Sequence, residues 1–127
     1  MSDQSTPIVK LSIDMKKSRI RLYKSTLHVL GDPPYVQLLV EPSAGVVAIM
    51  AVNHYSTSDS IHRIRKTRLL SSNSVEIYSL SFVRTLMSII PELKEGELYH
   101  MTGSLIPTEK VAVFFFSTLK ESSEGDS

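Results

Sequence analysis

The feature that most limits how this chain can fold is a unit written twice. Ile20-Arg-Leu-Tyr23 recurs as Val75-Glu-Ile-Tyr78, and each copy runs on into a Ser-containing apolar stretch that reads as a short helix. Tyr35-Val-Gln-Leu-Leu then matches Tyr99-His-Met-Thr-Gly, and Val47-Ala-Ile49 matches Val111-Ala-Val113, both at an offset of 64 residues. The first match has an offset of 55, so the second copy carries nine extra residues, most of them within 91–97. Repetition inside one short chain predicts a pseudo-twofold fold, because neither copy can bury its apolar face alone.

Local patterns fill in the elements. Residues 8–13 alternate after their start and read as a strand, and Lys16-Lys-Ser18 as a turn. In 19–23 the alternation is strict, with Ile20 and Leu22 on one face and Arg19, Arg21 and Tyr23 on the other. Ser25 or Thr26 is expected to cap a short helix holding Leu27, Val29 and Leu30, stopped by Gly31 and Pro33-Pro34. Residues 35–40 and 46–52 form a hairpin around Pro42-Ser-Ala-Gly45, and 61–69 read as an edge strand. Residues 71–74 read as the linker between copies. Residues 75–78 then form a strand, and Ser79 or Ser81 caps the clearest helix. Its Val83, Leu86, Met87 and Ile90 fall at i, i+3, i+4 and i+7, one continuous apolar face, and Pro91 ends it. Strands over 97–105 and 111–118 flank a turn at Pro107-Thr-Glu-Lys. In the run Phe114-Phe-Phe116 one ring must face away from its neighbours.

These readings converge on an α+β chain, mostly antiparallel β with two short helices, whose duplicated strand–helix–hairpin units close into a barrel or sandwich. One domain is expected over residues 1–120, with repeat halves at about 8–70 and 71–119 and a disordered acidic tail at 121–127. With no cysteine, disulfides and thiolate metal sites are excluded. The apolar runs are too short to cross a bilayer as helices, and the N-terminus has no signal-peptide core, so a soluble cytoplasmic protein without membrane contact is the expectation.

The candidate chemistry lies in charge. Ten Lys and Arg against five acids in residues 1–68 leave +5, and four against eight in 69–127 leave −4. The basic residues cluster as Lys16, Lys17, Arg19, Arg21 and Lys24, and as Arg63, Arg65, Lys66 and Arg68 beside His62. Arg19 with Arg21, and Arg63 with Arg65, project from one face of their strands, the layout of a two-stranded basic ribbon suited to phosphate oxygens. The same charges also describe a solvated outer face whose edge charges block aggregation. Tyr23 is placed to stack on a base, or to sit as an amphipathic rim residue. The four histidines have no ligand spacing, no G-x-S-x-G or Gly-rich phosphate loop occurs, and no cofactor, metal site or catalytic residue is expected.

Arg19-Ile-Arg-Leu22, Leu30-Gly31, Val36-Gln-Leu-Leu-Val-Glu41 and Val46-Val-Ala-Ile49 together resemble the swapped-hairpin DNA-binding motif of the AbrB and MraZ families over residues 18–52. Tyr23 stands where the motif has Pro, and Leu27 where it has its second Arg. The duplicated layout is similar to MraZ, which holds two such motifs. The resemblance implies a small bacterial transcription-regulator-like protein that is not an enzyme and binds duplex DNA as a homo-oligomer; the basic clusters read above, Lys17, Arg19, Arg21, Lys24, Arg63, Arg65, Lys66 and Arg68, are the residues expected on its phosphates. The residues alone leave two alternatives open, a binding protein for a small anionic ligand such as a nucleotide, and a protein-interaction module.

Overall fold

Period-two alternation governs the computed structural model, which describes residues 8–58, 60–65 and 73–122. Strand β1 (Ile8–Asp14) turns through Ser18, at φ 52°, into β2 (Arg19–Tyr23), which runs directly into helix α1 (Lys24–Val29). Gly31 takes a φ of 91° at the stop, and β3 (Tyr35–Glu41) and β4 (Val46–Val52) form the hairpin. A polar loop leads to β5 (Ile61–Arg63). The second half runs β6 (Ser74–Tyr78), α2 (Leu80–Ile89), β7 (Leu98–Ile106), a 3-10 turn at Pro107–Glu109, β8 (Val111–Phe115), a 3-10 turn at Phe116–Thr118 and β9 (Lys120–Glu121). Both halves therefore contain the order strand, helix, hairpin.

Among the described residues the nine strands make one antiparallel sheet, in the order β5-β3-β4-β8-β7-β1-β2-β6, with β9 added beside β7. The sheet curls until its ends approach. Ser60 and His62 at the β5 end line one concavity together with Ser79, Phe82 and Thr85, which follow β6 at the other end. The result is a nearly closed barrel that leaves few exposed edges.

Every second residue points inward. Leu11, Ile13, Ile20, Leu22, Val36, Val47, Ile49, Met101, Ala112 and Phe114 are sealed from solvent, and Leu27 and Leu30 of α1 and Val83 and Leu86 of α2 join them. Phe114 is fully buried while Phe115 faces out, which resolves the triple-Phe run in favour of an alternating strand. At Gly103 a Cβ would meet the Val113 carbonyl oxygen at 1.6 Å, so β7 and β8 approach as closely as they do because this position has no side chain.

Helix α2 follows its sequence signals closely. The Phe82 N–H donates to Ser79 Oγ at 3.3 Å, the expected cap, and Val83, Leu86 and Ile90 are buried with Met87 packed beside them. Phe82 joins the buried face as well.

Several expectations need correction. Neither Ser25 nor Thr26 caps α1: the N-cap is Tyr23, without a side-chain bond, and Thr26 is buried inside the helix. The first helical N–H instead donates to the Asn73 carbonyl at 2.7 Å, so tertiary contact replaces the cap. The 61–69 strand is ordered as β5 only over Ile61–Arg63, and 66–69 lie outside the described residues. The strand expected over 111–118 ends at Phe115. Of the tail expected over 121–127, Glu121 is instead in β9, which pairs with β7, and the Ser122 N–H donates to the Leu98 carbonyl at 2.7 Å, while 123–127 lie outside the described residues. Finally, the offset of 64 sets Tyr35, on the outer face of β3, against Tyr99, which is buried. A slip of one residue exchanges the two faces of a strand, so that match fails on burial.

Leu86→Ala should cost about 2–5 kcal/mol, because the inner surface of α2 has no room to collapse. Leu80→Ala, on the exposed side of the same helix, should stay within about 0.5 kcal/mol. Denaturant midpoints of both variants check the assignment, and equal losses would mean the helix face was misassigned.

Candidate nucleic-acid interface

The outer face of β1, β2 and β6 gathers the first basic cluster. Alternation turns Arg19, Arg21 and Tyr23 outward from β2, and the ladders set Asp14 beside Arg19, Ser12 beside Arg21, and Glu76 on the other side of Arg21. The pairs are closed. Arg19 Nε lies 3.2 Å from Asp14 Oδ2, and its Nη1 donates at 3.2 Å to both Glu76 Oε1 and the Tyr78 hydroxyl. Arg21 Nη2 donates to Glu76 Oε2 at 2.8 Å. One carboxylate thus holds two guanidinium groups, one on each oxygen.

Asp14 has a second task. Its Oδ1 accepts the backbone N–H groups of Lys16 and Lys17, each at 3.0 Å, and so shapes the β1–β2 turn. The Tyr78 hydrogen bond, helped by the Glu76 and Asp14 carboxylates, holds the Arg19 guanidinium above its already high ordinary pKa against the opposing effect of burial. Its charge is permanent, and its donors face protein acceptors. Arg21 differs. Its side chain is 42% exposed, and its buried Nε–H has no acceptor among the described residues. Tyr23 is committed too: its hydroxyl lies 2.6 Å from Ser12 Oγ, and Lys10 Nζ sits 5.7 Å from the ring centroid.

The expected sites therefore separate. Lys16, Lys17 and Lys24 are exposed at the two ends of β2. Arg63 and Arg65 are exposed at the β5 end of the sheet, where Arg63 pairs in register with Tyr35. Lys66 and Arg68 lie outside the described residues. The two-stranded basic ribbon does not form as a ladder: the neighbours of β2 are β1 and β6, and β5 pairs with β3. The physical reason is register, which places Glu76 rather than a second arginine opposite Arg21. Asp14, Ser12 and Glu76 were not expected at this face. The signal for Glu76 was present, since the repeat aligns it with Arg21 at the offset of 55.

The main concavities lie elsewhere. One, of about 720 Å³, runs between the end of α2 and the 116–119 segment and includes Ile89, Lys94, Tyr99 and Leu119. A second holds Asp14, Lys16, Glu97 and Glu121, and the third lies beside His62. None of the three is lined by Arg19, Arg21, Arg63 or Arg65. Among the described residues no three His, Asp or Glu side chains gather as a metal site, and no helix is long and apolar enough to cross a membrane. Compared with protein-family models, with curated proteins and with solved structures, the chain has no significant match to any of them.

Glu76→Gln should cost about 1 kcal/mol, because two part-buried guanidinium groups lose their shared charge. Arg63→Ala, at an exposed position, should change stability by less than about 0.5 kcal/mol. Chemical denaturation measures both, and the Glu76 effect should shrink toward about 1 M salt.

Proposed function

We propose that this domain is a non-enzymatic nucleic-acid-binding barrel that takes the phosphates of duplex DNA along the outer face of β2. The observation that carries the reading is the spacing of exposed cations on an open face. Lys17 and Lys24 bracket β2, and an extended strand of this length sets them about 20 Å apart. That distance spans about six steps along B-form DNA. A mononucleotide cannot bridge it, whereas a polymer meets both ends at once. Lys16 adds to one end, and the half-exposed Arg21 lies between them. Arg63 and Arg65 extend the positive surface at the β5 end. Arg19 is assigned a structural role, since its Nε and Nη1 are already held by Asp14, Glu76 and Tyr78. No base-reading element is assigned, so the contacts position rather than specify.

The fold-level support is an internal duplication, which we propose relates residues 8–52 to 61–115 as two ββαββ units. An offset of 65, rather than 64, carries the buried Val36, Val47 and Ile49 onto the buried Met101, Ala112 and Phe114. The same offset links Ala48 to Val113, which are paired residues in the β4–β8 ladder. The offset of 55 links Arg21 to Glu76, which are paired residues in the β2–β6 ladder. Each ladder is thus centred on equivalent positions, as a pseudo-twofold axis through the barrel requires. Two units in one chain agree with the layout that the AbrB and MraZ resemblance implies.

Binding to duplex DNA should weaken steeply with salt, and Lys17→Ala and Lys24→Ala should each lower the log–log slope by about one. Fluorescence anisotropy with duplexes and with a labelled mononucleotide tests this. A folded protein with no affinity for DNA at low salt would overturn the proposal. A mononucleotide bound with a shallow salt slope would replace it with the small-ligand reading.

A further inference from the structure

The wall opposite the charged face has different chemistry. Strands β3, β4, β8 and β7 present Leu39, Val46, Ala48, Met50, Val113 and Phe115 outward, side by side in register. Gln37 on β3 and Ser104, Thr102 and His100 on β7 are polar residues of this face, Val111 on β8 is buried within it, and Glu41 is its one carboxylate among the described residues, at the hairpin rim. Phe115 and Ile106 are each more than a third exposed, which is unusual for side chains of that size in a row of apolar neighbours. The buried residues of α1 and α2 belong to the barrel core, and α2 approaches this wall only at its β3 edge, where Leu39 shares a concavity with Phe82 and Thr85.

We propose that the outer wall of β3-β4-β8-β7 is a homodimer interface, and that its occupant is the same wall of a second copy. Three observations select that occupant. The first is area. Four strands about 4.8 Å apart and about 7 residues long give a face of about 450 Å², or about 1,000 Å² from two copies once side-chain relief is included, the lower bound for a specific interface. The second is charge. The opposite wall carries Lys10, Asp14, Arg19, Arg21 and Glu76, so a head-to-tail contact would bury charges against apolar residues without partners. A wall-to-wall contact buries almost none. The third is self-complementarity. The central row reads Leu39, Ala48, Val113, Ser104, with the small Ala48 and Val113 in the middle and one larger side chain at the Leu39 end. Two such rows facing each other under twofold symmetry set each Leu39 against the partner's Ser104 end, bulk against space, which is the isologous arrangement. The dimer would leave both β2 faces outward and free.

The test uses the full chain in two ways. Sedimentation velocity across concentration should give a species of twice 14.2 kDa with a dissociation constant in the micromolar range. Phe115→Arg should raise that constant at least about 30-fold while circular dichroism and thermal unfolding stay those of a folded barrel. Because the chain has no cysteine, Ala48→Cys supplies a second, gentler readout. A bismaleimide of about 10 Å, the spacing of two packed sheets, should cross-link it efficiently, and should leave a Lys16→Cys variant on the far side uncross-linked. A monomer at several hundred micromolar would overturn the proposal. So would a dimer that survives Phe115→Arg unchanged, or one that cross-links through position 16 and not 48.

Discussion

The ladder between β4 and β8 is the constraint on which the rest of the barrel depends. Neither hairpin can bury its inner face alone, and this pairing joins β3-β4 to β8-β7 as one continuous wall. Register decides what each side of that wall holds. With Ala48 opposite Val113, the inward set is Val47, Ile49, Ala112 and Phe114, all sealed from water. A shift by one residue would turn those four outward and bring Ala48, Met50, Val113 and Phe115 in. The two sets are similarly apolar, so burial alone does not choose between them; Gly103 does, because a Cβ there would run into the Val113 carbonyl and only this register sets the glycine against it.

The β2–β6 ladder on the far wall plays the matching part with charges. Its inward residues Ile20, Leu22, Val75 and Ile77 are apolar and buried, while its outward residues form the Asp14–Arg19–Glu76–Arg21 network. Such a network contributes less than the core, since much of it touches water. Its effect on function is selective instead. It holds Arg19 on protein carboxylates, while Lys16, Lys17 and Lys24 stay exposed at the strand ends. The barrel thus has a charged wall and an apolar wall facing opposite ways.

Much of this was legible from residue patterns. Strict alternation located β2, the i, i+3, i+4, i+7 spacing located the buried face of α2, and Ser79 capped it as its chemistry suggests. The misses have physical causes. Strand β9 is two charged residues, Lys120 and Glu121, whose only strand signal is the backbone of β7 beside them. The start of α1 is set by the Asn73 carbonyl, 49 positions away in sequence from Lys24, and no local cap reveals it. The offset of 64 fails on burial because it rests on aromatic identity at Tyr35 and Tyr99 rather than on burial parity, and parity is visible only once the faces are known. The pairing of the basic cluster with Glu76 was not legible, because that carboxylate comes from a strand 55 positions after Arg21. Reading that pair from sequence requires the strand register, which depends on the whole sheet.

Two ladders, centred on Arg21–Glu76 and on Ala48–Val113, hold the chain as one barrel with unlike walls. Cross-strand nuclear Overhauser contacts measured on uniformly labelled protein test it most directly. Backbone contacts should link Arg21 to Glu76 and Ala48 to Val113, with neighbouring contacts spreading symmetrically from each pair. Contacts displaced by one residue on either ladder, or β4 pairing with a strand other than β3 and β8, would contradict it.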